Sequence, residues 1–206
     1  MAAPERLIIF TRLPQPGRAK TRLIPALGPQ GAADLQRRLV ERLLVQARAL
    51  AAARPLELEL CFTDGTAEEA RAWLGPGLSY QPQGSGDLGR RMDRALHRAL
   101  AQGAERVVLV GTDLPELDQA ILAAALEALA DHDLALGPAT DGGYYLVGLR
   151  AAAPGLLTGE HGRSLAALRG RAAELGLRTA MLPELSDLDT PADLARWLAR
   201  PDAGPS

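Results

Sequence analysis

A chain of 206 residues can bury the core of one domain, and a composition 47% apolar and 23% charged is that of a globular protein. Its 23 basic and 25 acidic residues leave a net charge of −2, which speaks against a general nucleic-acid or membrane-surface binder, because either would carry a broad basic excess. The single cysteine, Cys61, excludes an intrachain disulfide; inside an apolar run it reads as a small buried hydrophobe.

In chain order the first element is RLIIFTR (6–12), a buried strand. A loop follows, RLPQPGRAKTRL (12–23), in which Arg12, Arg18, Lys20 and Arg22 meet no acid. Lys20 is the chain's only lysine, against 22 arginines. Over 31–54, Leu35, Leu39, Leu43, Ala47 and Leu50 form one helical face. PLELELCFTD (55–64) alternates like a strand, and TAEEARAWL (66–74) is a short helix with Thr66 and Glu69 spaced as a capping box. LSYQP is a short strand, 88–103 a helix ending at Gly103, and ERVVLVGTD (105–113) a strong buried strand. A helix over 118–130 starts on Asp118. Two strands, DLALGPA and YYLVGL, flank a turn at Asp141-Gly142-Gly143, which fits a type I′ hairpin. GRSLAALRGRAAELG is a helix and LRTAMLP a strand. The last helix, TPADLARWLAR, is capped by Thr190 with Pro191 at its first position. Residues 1–200 read as one domain and 201–206 as a frayed tail. The N-terminal segment has neither a basic leader nor a long apolar run, so the expectation is a cytoplasmic protein.

Alternating strands and helices make βαβ units and a mostly parallel sheet with helices on both faces. Ligands of such sheets sit at the carboxyl ends of the strands. The loop after the first strand therefore stands at the ligand edge. Amides near Gly17 and the Lys20 ammonium suit one phosphate, and Arg12, Arg18 and Arg22 a second. VVLVGTDLPEL (107–117) places Asp113 at the same edge, where a carboxylate can take a hard cation. SDLDTPADL (186–194) adds Asp187 and Asp189 on one side of an extended segment, whereas Asp193 is spaced as a capping partner of Thr190. Asp189, outside the helix and beside other acids, is expected to have no structural task. Asp113, Asp187 and Asp189 together make a candidate Mg²⁺ or Mn²⁺ site completed by phosphate oxygens. QGSGDLGRRM (83–92) precedes a helix N-terminus whose amides can meet a base or a phosphate. His97, His132 and His161 show no partner spacing, and no G-x-S-x-G elbow is present.

FTRLPQPGRAKTRLIPALG, GDLGRRM, VVLVGTDLPEL, LALGPATDGGYYLVGL and DLDTPADL, in this order, resemble a bacterial family of provisionally assigned glycosyltransferases associated with arsenosugar biosynthesis. The resemblance runs from about Leu7 to Trp197. It implies a single-domain α/β fold of the GT-A, Rossmann-like, nucleotide-diphospho-sugar transferase type. More distantly the chain is similar to 2-phospholactate guanylyltransferase and molybdenum-cofactor nucleotidyltransferases. By that similarity Lys20 and Arg22 contact phosphates; Asp113, Asp187 and Asp189 bind the metal; and Gly86, Asp87 and Gly89 approach the nucleotide. Where relatives commonly carry a Trp-Ser/Gly-Thr element, this chain reads TGEHGRS, with Glu160, His161 and Gly162.

The expected function is metal-dependent transfer from a nucleotide-activated donor to a small acceptor. Glycosyl transfer from a nucleotide-diphospho-sugar comes first, with Lys20 and Asp113 meeting the charge of the departing diphosphate. Asp141, beside Gly142 and Gly143, is the candidate base in the acceptor region. Nucleotidyl transfer from a nucleoside triphosphate, with pyrophosphate release, is the enzymatic alternative. A non-catalytic nucleotide-binding protein is the other.

Overall fold

The computed structural model describes residues 5–199; the tail expected at 201–206 lies outside them. Seven strands are β1 (Glu5–Arg12), β2 (Leu56–Thr63), β3 (Ser79–Pro82), β4 (Arg106–Val110), β5 (Leu134–Pro138), β6 (Tyr144–Leu149) and β7 (Thr179–Met181). Six helices are α1 (Ile24–Ala53), α2 (Ala67–Leu74), α3 (Leu88–Ala101), α4 (Gln119–Ala128), α5 (Leu165–Glu174) and α6 (Pro191–Leu198), with 3-10 turns at Thr21–Leu23 and Gly159–Arg163. The sheet order is β3-β2-β1-β4-β6-β5-β7. Pairing is parallel except that β6 runs antiparallel to both β4 and β5. This is the single α/β domain with a mostly parallel, doubly covered sheet that the alternation of elements predicts.

The central strands are buried on both faces, which is why they read as continuous apolar runs. Leu7 and Ile9 of β1 pack with Val108 and Val110 of β4 into a core shared with α1, α2 and α4. The alternate residues, Ile8, Phe10, Val107 and Leu109, face Met92, Leu96, Leu168 and Ala172 of α3 and α5. A smaller cluster around Leu23, Leu35, Leu39 and Leu188 ties the first loop to the segment before α6.

The caps are those the spacing predicts. Thr66 and Glu69 form a reciprocal box, Asp118 accepts from the Ile121 amide, and Thr190 and Asp193 form a second box. Helix α1 begins earlier than the sequence suggests, at Ile24, and breaks at Gly28, whose φ of 69° no helix contains. The β5–β6 turn is not type I′, which needs two consecutive positive φ values. Only Gly142 has one, at 87°, and the Gly142 amide donates to the Ala139 carbonyl at 3.1 Å, so a type I-like turn is closed by a left-handed glycine. Among the described residues no helix is long and apolar enough to cross a membrane. Cys61 is buried, and burial pushes its thiol up to about 11, as a packing residue requires.

Candidate functional site

The carboxyl ends of β1, β2 and β4 open onto a cleft of about 520 Å³. Antiparallel β6 begins at the same edge, so Tyr144 to Val147 complete the wall. Of the residues singled out in the sequence, Arg12, Arg18, Lys20, Arg22, Asp113, Asp141, Asp187 and Asp189 line this cleft. They come from segments up to 177 residues apart (12 to 189), brought together by the strand order.

Lys20 is the centre of the arrangement. Its side chain is only 3% exposed; its Nζ donates to Asp189 Oδ1 and the Leu188 carbonyl, each at 2.8 Å, and forms an ion pair with Asp113 Oδ1 at 2.6 Å. The residue adopts the left-handed region, φ 46° and ψ 45°, which turns the side chain inward from the loop. Arg22 reaches Asp189 Oδ2 at 3.9 Å. Asp189 therefore has a structural partner in the ammonium, contrary to the expectation that it stands idle among acids.

Around Asp187 the neighbouring acids prevail over the one ammonium. Burial, followed by Asp141, Asp113 and Asp189, pushes the Asp187 carboxyl up to about 7, with Lys20 acting in the opposite direction. Asp141 caps its own turn, its Oδ1 accepting from the Gly143 amide at 2.8 Å. Among the described residues no three His, Cys, Asp or Glu side chains stand in a metal-binding arrangement, because Asp113 and Asp189 are turned onto Lys20.

The first loop is not without a balancing acid. Asp64, at the end of β2, meets Arg12 Nη1 at 3.1 Å and Arg18 Nη1 at 3.5 Å. Behind the strand ends lies a polar triad that sequence reasoning missed. Gln36 Nε2 donates to Thr11 Oγ1 at 3.0 Å and Thr112 Oγ1 at 3.1 Å, and the two hydroxyls are 3.0 Å apart. All three residues are buried and line the cleft. The available signal was Gln36 itself, a polar residue on the inward stripe Ala32–Gln36–Val40 of an otherwise apolar helix face.

Gly17, Gly86, Asp87, Gly89, Gly142 and Gly143 do not line the cleft. Asp87 caps α3, its Oδ1 accepting from the Arg90 amide at 2.8 Å. A Cβ on Gly89 would stand 2.1 Å from the Leu157 carbonyl oxygen, and one on Gly162 2.2 Å from the same atom, so both glycines admit a close backbone approach. From the same GDLGRRM stretch, Leu88, Arg91 and Met92 line the cleft instead. Arg91 Nη1 donates to Gln83 Oε1 at 2.8 Å, while Gln83 Nε2 is held by the Thr11 and Cys61 carbonyls. Gly89→Ala is expected to lower stability by about 2 kcal/mol through overpacking; a melting temperature equal to that of the wild type would remove this packing role.

Tyr144 and Tyr145 present their rings to the cleft and spend their hydroxyls on the Gly162 and Pro183 carbonyls, each at 3.0 Å. Burial raises both phenols, Tyr145 to about 12, so neither is an acid at neutral pH. None of the three histidines lines the cleft, and Glu160 and His161 of the TGEHGRS segment also lie outside its lining.

Asp193 has the capping role its spacing predicts. Burial opposes its charge, but Thr190 through side chain and amide, the Asp189 amide and Arg196 outweigh burial and hold the carboxyl at about 2. Asp193→Asn should cost about 1 kcal/mol. A depressed carboxyl stabilises above its unfolded value of 3.8, so the wild-type advantage should fade as pH falls from 4 toward 2. Chemical denaturation at pH 7 and pH 2.5 checks both statements.

Three likenesses place this geometry. A phosphoenolpyruvate guanylyltransferase from Rubrobacter xylanophilus is 30% identical over 184 residues, covering 86% of each chain. The crystal structure of a protein provisionally described as a nucleotide-diphospho-sugar transferase, from Desulfovibrio desulfuricans G20, is 34% identical with a TM-score of 0.86, covering 93% of this chain and 85% of that one. Rv0371C from Mycobacterium tuberculosis H37Rv, in complex with manganese, is similar in fold at 17% identity and a TM-score of 0.52, covering 93% and 97%. The fold is thus that of the nucleotide-diphospho-sugar transferase type, as the motif resemblance implies. Residues 44–161, more than half of the chain and including Asp64, Gly111 to Asp113 and the β5–β6 turn, match the model of one bacterial family, and the chain belongs to that family, described as an uncharacterized protein conserved in bacteria (DUF2064).

Proposed function

We propose that the cleft holds the phosphates of a nucleotide and that the protein is a transferase using a nucleotide-activated donor. The observation that carries this reading is the buried Lys20 ammonium at the strand-end edge, with Arg12, Arg18 and Arg22 lining the same cleft. A compact, desolvated ammonium beside open guanidinium groups suits a polyphosphate whose charge grows during transfer.

Of the two transfer reactions, the favoured one is nucleotidyl transfer. An anionic oxygen of the acceptor forms a bond to the α-phosphorus of a nucleoside triphosphate. The bond from that phosphorus to the bridging oxygen breaks, and pyrophosphate leaves with the electron pair. An acceptor that arrives ionised needs no general base, and its charge suits a lining that carries Arg12, Arg18 and Arg22. Likeness to a guanylyltransferase supports the same choice. The arginines would orient the phosphates and neutralise the leaving group, while Lys20, held between Asp113 and Asp189, would keep those acids in place and add its charge from behind.

Glycosyl transfer is the second reading, favoured by the Desulfovibrio likeness, with Asp141 as base. The arsenosugar association rests on the motif resemblance alone. The cleft offers a divalent cation the right kind of donor, although Asp113 and Asp189 would have to turn from Lys20 to receive it. These donors are hard carboxylate oxygens, and Asp187, raised by burial first and by Asp141, Asp113 and Asp189 after it, is a carboxyl whose ionised form a cation would favour. Asp113, Asp187 and Asp189 would hold the ion, and it would supply charge neutralisation at phosphate oxygens.

Product analysis tests the reading. Incubation with GTP and phosphorylated small acids, in Mg²⁺ or Mn²⁺, should release pyrophosphate. Release of a nucleoside diphosphate from a nucleotide-sugar would establish the second reading, and tight binding with no turnover would make the protein a sensor.

A further inference from the structure

We propose that Asp64 is a positioning residue for the phosphate end of the cleft, an inference that rests on the reading of that cleft as a nucleotide site. Arg12 and Arg18 are long, like-charged side chains on one loop, and left alone they would repel and spread over many rotamers. Asp64 gathers them. Its Oδ2 meets Arg12 at 3.1 Å and its Oδ1 meets Arg18 at 3.5 Å, while Arg12 Nη1 also donates to the Arg18 carbonyl at 3.1 Å. In each pair the guanidinium engages the carboxylate through Nη1, leaving other donors of each fork for an anion. The arginine side chains stay 47% and 63% exposed, and both line the cleft.

The backbone supports a placed carboxylate. Asp64 has φ 58° and shares positive φ, among the described non-glycine residues, with Lys20 alone. The two described non-glycine sites of left-handed backbone thus belong to the groups that organise the cationic loop. The connection is also tightly held. Leu13 donates its amide to the Thr63 carbonyl at 3.0 Å, and a Cβ on Gly65 would stand 2.3 Å from Leu13 Cδ1. Half-exposed ion pairs add little to stability. A glycine at this φ would be less strained than an aspartate. The carboxylate therefore answers to the arginines rather than to the fold.

Calorimetric titration with inorganic pyrophosphate and with GTP, on the full chain, tests this. Asp64→Gly should melt no lower than wild type and bind pyrophosphate about tenfold more weakly, because two arginine side chains must then be ordered by the ligand. Asp64→Asn, which keeps the shape and tolerates the same φ, should weaken binding in the same direction. Arg18→Ala should cost less affinity in the Asp64→Gly background than in wild type, the signature of a shared role. Equal or tighter pyrophosphate binding by both Asp64 variants, or an Arg18→Ala effect of the same size in both backgrounds, would overturn the inference while leaving the nucleotide reading intact. A wild-type chain that binds neither pyrophosphate nor GTP would overturn both.

Discussion

Lys20→Met is expected to reduce kcat/KM by about a thousandfold or more, the scale of losing one preorganised charge from a transfer site. Methionine preserves most of the stem's volume, so the change isolates the ammonium. In the wild type that group is 3% exposed, pairs with two carboxylates and donates to one carbonyl. Without it, Asp113 and Asp189 face each other across a hole in the charge pattern. Both are about two-fifths exposed, so water screens part of the repulsion, and the stability loss should be about 2 kcal/mol at neutral pH. Lys20→Arg should not rescue turnover, because a planar fork cannot place one point charge among three acceptors. Steady-state kinetics with melting curves at pH 7 decide the matter; a variant that keeps its rate would remove Lys20 from the chemistry.

Asp187→Asn is expected to raise the metal-free melting temperature at pH 8 and to remove turnover. The Asp187 carboxyl sits at about 7 in the fold against 3.8 for the free side chain. A raised carboxyl favours the folded state while protonated. Its contribution is complete below pH 3.8 and is lost as pH climbs through 7. Wild-type protein in chelator should therefore lose stability between pH 4 and pH 7.5, whereas Asp187→Asn should be flat across that window. The difference at pH 8 should be about 2 kcal/mol once screening by cleft water is allowed for. That corresponds to about 5 °C in a domain of this size. Mn²⁺ added at pH 8 should raise the wild type toward the variant, because the ion replaces the missing positive charge. A wild-type melting temperature that does not change with pH would show that Asp187 is ionised without cost.

Much of this was legible in the chain. Apolar runs bounded by polar residues marked β1 and β4, because strands covered on both faces leave no room for alternation. Thr66, Asp118 and Thr190 announced their helices, since capping is a local matter of one side chain and three residues. Lys20, Asp113, Asp187 and Asp189 could be placed at one edge because strand ends share an edge in any such sheet. What they do to one another could not be read. Whether an ammonium lies between two acids, or the acids face a metal, depends on a few ångströms of loop path. Asp64 escaped notice because it neighbours Arg12 only once β2 lies beside β1, 52 residues later (12 to 64). The GDLGRRM stretch drew attention to its glycines, yet Gly89 answers to the Leu157 carbonyl, a contact from another part of the chain. The β5–β6 connection was mistyped because Asp-Gly-Gly permits several turns, and the fold uses one positive φ rather than two.

The borders of the sheet have a practical consequence. Its outermost strands are β3, four residues long and ending in Pro82, and β7, three residues long. Neither presents a long row of unpaired amides, and a proline has none to offer, so a second molecule finds little template on which to add a strand. The segments most prone to cross-β stacking, β1 and β4, lie inside these borders. Clumping should therefore wait for unfolding: concentrating the native protein should leave it clear, and on heating, light scattering should rise only where the near-ultraviolet signal of packed tyrosines begins to fall.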